Sequence, residues 1–188
     1  PLARVLPGYE ERTAQRKLAE AVAEVLDAGG LLLAEAGTGT GKTLAYLLPA
    51  VELGRRVVVS TGTKNLQEQL VQKDIPILAR ALGRELSVAV MKGRANYLCL
   101  LRFASFGKAG TFRRLEEIPV FRAVEAWAPL TDTGDRSEVA DMPDSVEFWR
   151  EVSAASENCI GQSCSLFESC FVTRMRQRAL EADLVVVN

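Results

Sequence analysis

The chain has 188 residues, of which 48% are apolar, and a net charge of −1. That apolar content is enough to bury a core and excludes wholesale disorder, while the near-zero charge excludes a protein that coats nucleic acid by bulk positive charge. No apolar run reaches the ~18 residues of a membrane span, and Pro1 to Arg4 carry neither an initiator Met nor a signal segment, so both ends read as cuts and the expected location is cytoplasmic.

Leu18, Val22, Val25 and Leu26 recur at helical spacing and predict a helix over 13–28, ended by Gly29-Gly30. Leu31 to Ala34 predicts a short buried strand, followed by a Gly/Thr loop and a helix from about Lys42 to Leu53. Val57 to Ser60 predicts a second strand, Lys64 to Leu82 a helix kinked or broken at Pro76, and Ser87 to Val90 a third strand. Strands alternating with helices of this length indicate an α/β fold, a parallel sheet with helices on its faces.

After Met91 the pattern changes. Residues 92–124 carry seven Lys/Arg against two Glu, with phenylalanines and Tyr97 interleaved, and residues 125–157 carry nine acidic residues against two arginines. The acidic stretch is loop-rich around Thr131 to Pro143; a basic helix then runs from Phe171 to Ala182 and leads into a final strand. The expected organisation is a sheet domain over 1–92 and 171–188, interrupted by an insertion over 93–170.

Ala36-Gly37-Thr38-Gly39-Thr40-Gly41-Lys42-Thr43 stands between a predicted strand and a predicted helix. Glycines let a backbone wrap tightly and aim its N–H groups at phosphates. The helix opening with Lys42, Thr43 and Leu44 turns its positive end to the same anion. Lys42 is placed to reach the β- and γ-phosphates, and the Thr43 hydroxyl to ligate Mg²⁺, which makes these two the candidate catalytic residues. A Gly-rich turn that binds nothing is the alternative, and the strand–loop–helix context weighs against it. The motif alone does not separate helicases from small-molecule kinases, GTPases or transporters.

The four cysteines are Cys99, Cys159, Cys164 and Cys170, and the chain has no histidine, which excludes Ser–His and Cys–His catalysis. Four thiolates suit an iron–sulfur cluster or a structural zinc, with free buried cysteines as a third reading. Zinc knuckles favour tight pairs; here one cysteine lies 59 residues before the others, and the remaining spacings are four and five, which favours the cluster. The basic, aromatic stretch 92–124 is the candidate for single-stranded DNA through charge and stacking, first at Lys92, Arg94 and Tyr97 and second at Arg113 and Arg114. A solvated face over a small core is the alternative.

These pieces also carry a resemblance. Tyr9-Glu10, Arg12 and Gln15 resemble an adenine-sensing Q motif, in which the glutamine amide matches adenine N6 and N7. Ser60 to Leu70 resembles helicase motif Ia, which implies a grip on a single-stranded DNA backbone through Thr61, Thr63 and Gln67. Lys92 to Cys99 resembles the lead into an iron–sulfur domain and Cys159 to Phe171 the way out of it. Thr133 to Glu138 resembles a stretch common in the bacterial branch. Over nearly its whole length the chain resembles the XPD/DinG-type iron–sulfur DNA helicases, in the bacterial DinG/YoaA-like branch.

The resemblance implies a RecA-like first helicase domain with an inserted [4Fe–4S] domain. It implies ATP and Mg²⁺ as cofactors, single-stranded DNA and duplex junctions as partners, a role in DNA repair, and 5′-to-3′ movement. It further implies that the carboxylates which hold Mg²⁺ and activate water lie beyond Asn188, with the second motor domain, so this stretch alone binds ATP without turning it over. Two rivals remain: another P-loop NTPase, and a non-enzymatic cluster-bearing DNA-binding or docking module.

Overall fold

A computed structural model describes residues 2–37, 39–143, 145–155, 157 and 159–188. The chain divides into two compact units, Pro1–Val90 with Glu181–Asn188, and Met91–Leu180. Among the described residues no helix is long and apolar enough to cross a membrane.

The first unit opens with α1, Thr13–Ala28, and α2, Lys42–Glu52. β1 is Val57–Ser60 and β3 is Leu184–Val187; they run parallel, in a register that pairs Val57 with Leu184 and Ser60 with Val187. β2, Val88–Met91, completes a sheet of order β1-β3-β2. Ser87, expected to begin β2, is held instead by Asp183, whose carboxylate accepts from the Ser87 N–H at 2.9 Å and hydroxyl at 3.0 Å. This acceptor pair holds the Asp183 carboxyl below the usual range, the backbone bond contributing most.

Between β1 and β2 the expected single helix is three pieces: α3, Lys64–Gln69, a π-helical turn, Leu70–Asp74, and α4, Ile75–Leu82. Pro76 sits in the first turn of α4, where a missing N–H is harmless. The irregular turn therefore lies just before the proline. Leu47, Val51, Leu70, Leu78, Leu184 and Val186 form the centre of this unit's core.

The strand expected at Leu31 to Ala34 is not formed. The run has no regular structure, and Leu31 and Leu33 are 93% and 97% exposed. A parallel strand needs a neighbour for its backbone groups and cover on both faces, and none of the three described strands pairs with it. An apolar run states an affinity for a sheet but cannot supply the neighbour.

The second unit carries α5, Leu100–Ala109, α6, Glu117–Trp127, α7, Phe148–Val152, and nearly all of α8, Phe171–Glu181. Its core is a knot of Phe103, Phe106, Phe112, Phe121 and Phe148, with neighbouring rings 5.2–6.1 Å apart. The segment ending at Cys99 is stitched on both sides, Tyr97 bridging Asp135 and Leu98 bridging Ser153. The loop after α6 is ordered by Glu138, whose carboxylate accepts from Trp127 Nε1 at 3.2 Å, from the Thr131 hydroxyl at 2.6 Å and from the Thr133 hydroxyl. Gly134 is fixed by contact as well as by its φ of 67°: a Cβ there would lie 2.3 Å from the Phe171 ring. The stretch Thr133 to Glu138 thus has a packing role, closing over the segment that presents Cys99.

Candidate nucleotide loop and cysteine cavity

The loop before α2 turns on Gly39 and Gly41, whose φ values of 75° and 79° favour glycine. Gly41 is doubly constrained, because a Cβ there would fall 2.3 Å from Gln15 Nε2. Gln15 is buried on α1; its amide donates to the Gly41 carbonyl at 3.1 Å and accepts from the Tyr9 hydroxyl at 3.4 Å. Both ends of that amide are engaged by protein. In this state Gln15 fastens α1 to the loop.

Arg12 donates to the Gly39 carbonyl, and the Thr40 hydroxyl to that of Gly37 at 2.9 Å. The Lys42 ammonium donates to the Ala36 carbonyl at 2.5 Å and to the Gly37 carbonyl at 2.7 Å, so it lies over the loop's own backbone. Thr38, also an expected ligand residue, lies outside the described residues. Leu44 contributes only backbone to the helix start, since its side chain is in the core.

Lys42 and Thr43, together with Ser60, Thr61, Gln69 and Asp74, line a cavity of about 540 Å³. Asp74 is 8% exposed. Burial pushes its carboxyl above the usual range, against the opposing effects of hydrogen bonds from Gln69 and Thr43 and of the Lys73 charge. Tyr46 is raised in the same way by burial and also hydrogen-bonds Thr43. A hydroxyl and a carboxylate beside a lysine are hard oxygen donors next to a cation, a set that fits a magnesium nucleotide. Sequence reasoning missed Asp74. The signal was available: it stands on the buried stripe Leu70, Asp74, Leu78, at i, i+4 and i+8.

The motif Ia candidates separate. The Thr61 hydroxyl is hydrogen-bonded to the carbonyls of Thr63 and Val187, both at 3.2 Å. Thr63 is exposed and caps α3, its hydroxyl accepting from the Leu66 N–H at 3.2 Å. Gln67 faces inward, 1% exposed, and donates to the Val186 carbonyl at 3.0 Å. It ties α3 to β3.

In the second unit Cys99, Cys159, Cys164 and Cys170 line one cavity of about 210 Å³ together with Arg94 and Arg176. None is in a disulfide. The Cys159 thiol is held below its usual range, first by a hydrogen bond from the Gly161 backbone and then by Arg94. Arg94 Nε is buried with no hydrogen-bond partner among the described residues. No three metal-ligating side chains among those residues converge as a single ion requires.

The first-choice DNA residues of this unit, Lys92, Arg94 and Tyr97, are engaged within the protein. The Lys92 ammonium lies 2.6 Å from the Asp135 carboxylate, with both side chains 10–13% exposed, and donates to the Ser137 hydroxyl at 2.9 Å. Tyr97 is 2% exposed, and its hydroxyl accepts from the Lys92 N–H at 2.9 Å. Arg94 turns to the cysteines, and the phenylalanines are core. Arg113 and Arg114 remain 79% and 62% exposed, each 3.3 Å from Glu147.

The DEAD/DEAH box helicase family matches residues 14–98. Over 187 residues, all of this chain, it is 40% identical to the ATP-dependent DNA helicase YoaA of Escherichia coli, 29% of whose length is covered. The YoaA of Haemophilus influenzae is 38% identical over the same span and coverage. The ATP-dependent helicase DinG of Mycobacterium tuberculosis is 38% identical over 203 residues, covering 96% of this chain and 30% of that protein. Over its whole length the chain is thus similar to one part of the helicases named YoaA and DinG. The chain spans about three tenths of the length of these relatives.

Proposed function

We propose that this chain is the nucleotide-binding front of an ATP-dependent DNA helicase, with a RecA-like unit and an inserted [4Fe–4S] unit. The observation that carries the reading is the shared cavity: Lys42 and Thr43 of the phosphate loop open onto the same space as Ser60 and Thr61 at the end of β1. On binding ATP, Lys42 exchanges its carbonyl contacts on Ala36 and Gly37 for β- and γ-phosphate oxygens. The N-terminal turn of α2 adds backbone N–H groups, and Thr43 turns its hydroxyl to Mg²⁺, which offsets the phosphate charge.

In the first unit single-stranded DNA lies along the exposed start of α3, on Thr63, Lys64 and the backbone near them; in the second, Arg113 and Arg114 are a separate candidate contact. These contacts go to phosphates and carry no sequence preference. Cys99, Cys159, Cys164 and Cys170 would hold the cluster, with Arg94 on the same cavity, its Nε buried without a hydrogen-bond partner among the described residues. Bound there, the group would clip the two ends of a long insertion together.

The test is unwinding by the full-length protein. A duplex with a 5′ single-stranded tail is expected to be opened with ATP, a duplex with only a 3′ tail is not, and Lys42→Ala abolishes opening while leaving DNA binding within a few-fold. Unwinding retained by Lys42→Ala contradicts the assignment of the loop.

A further inference from the structure

We propose that Asp74 is a positioning residue for the cation of a bound magnesium nucleotide, orienting the Thr43 hydroxyl and linking it through Gln69 to α3. The inference rests on the nucleotide reading of the loop and assigns a role to a residue outside it.

Asp74 occupies an uncommon place for a carboxylate. It is 8% exposed, on a helix face otherwise filled by leucines, and it closes the π-helical turn between α3 and α4. Burying a carboxylate is unfavourable unless hydrogen bonds compensate, and widened helical turns recur at functional sites. The Thr43 hydroxyl and the Gln69 amide stand beside Asp74 as the hydrogen-bond donors that face its carboxylate. Asp74 and both of these lie on one cavity with Lys42.

The chemistry follows from the inventory of a hydroxyl, which has one proton and two lone pairs. With its proton turned to Asp74 and one lone pair facing the Tyr46 hydroxyl, Thr43 has a lone pair left to offer a cation. The carboxylate also makes the hydroxyl oxygen more basic, as carboxylates do behind metal-ligating imidazoles. The opposite side of Asp74 is held by Gln69, the last residue of α3, whose first turn begins beside Thr63. One carboxylate therefore touches both the cation ligand and the helix that follows the strand-end segment.

The experiment measures binding of a fluorescent ATP analogue to the full-length protein while Mg²⁺ is titrated from an EDTA baseline, alongside thermal melts. For Asp74→Ala the Mg²⁺ needed for half-maximal effect rises on the order of 10-fold or more, with binding in EDTA unchanged. Asp74→Asn, which keeps one acceptor oxygen and the side-chain volume, falls between, and it serves as the test if the alanine variant does not fold. Lys42→Ala loses binding in both arms. Wild-type Mg²⁺ dependence in both Asp74 variants overturns the proposal, and so does an equal loss with and without Mg²⁺. A wild-type protein that binds no nucleotide overturns the reading of the loop, and the inference with it.

Discussion

Gly41 answers to two constraints, a left-handed backbone and the Gln15 amide packed against its α-carbon. Gly41→Ala should therefore cost about 1–3 kcal/mol in urea melts, more than a glycine in an open turn such as Gly54, which has nothing within 4 Å of a built Cβ. Equal costs at the two positions would deny the Gln15 contact. Asp183 gives a prediction in pH. Its folded carboxyl is held below the ordinary value by Ser87, so the stability it contributes is fully present above about pH 4 and is lost as pH falls through the lowered value. Wild type should thus exceed Asp183→Asn in melting temperature at neutral pH, and the gap should close in acid. A gap that widens in acid would mean the sign is wrong.

Among the elements, α3 turns one face to solvent at Thr63 and Lys64 and another into the core at Gln67. Its Gln67 amide donates to the Val186 carbonyl in the core. Gln67→Ala removes a donor from that carbonyl and should destabilise the first unit by about 0.5–1.5 kcal/mol, leaving the salt dependence of single-stranded DNA binding unchanged. A shallower salt slope would return Gln67 to the interface. Most elements were legible in the sequence, because periodicity and punctuation state them: α1 over 13–28, α2 from Lys42, β1 over Val57–Ser60, and the break near Pro76. The run at Leu31 to Ala34 was not, because a strand depends on a partner that its own residues do not reveal. The loop motif and the gathering of four cysteines were legible from spacing. The inward turn of Gln67, Lys92 and Tyr97 was not, since a polar or basic residue type says nothing about which way it faces once a carbonyl or Asp135 is within reach.

For the whole molecule, two compact units with separate cores imply two separable stabilities. Replacing any one of the four cysteines by Ser should lose iron and sulfide from anaerobically purified protein and open residues 91–180 to protease. The first unit should keep its nucleotide binding. Stoichiometric zinc without sulfide would favour a zinc site instead. The central claim, a phosphate loop that serves a motor working on DNA, is tested most directly by ATP hydrolysis of the full-length protein with and without single-stranded DNA. The account predicts turnover that rises strongly with DNA and disappears in Lys42→Ala; turnover that ignores DNA, or survives the loss of Lys42, would contradict it.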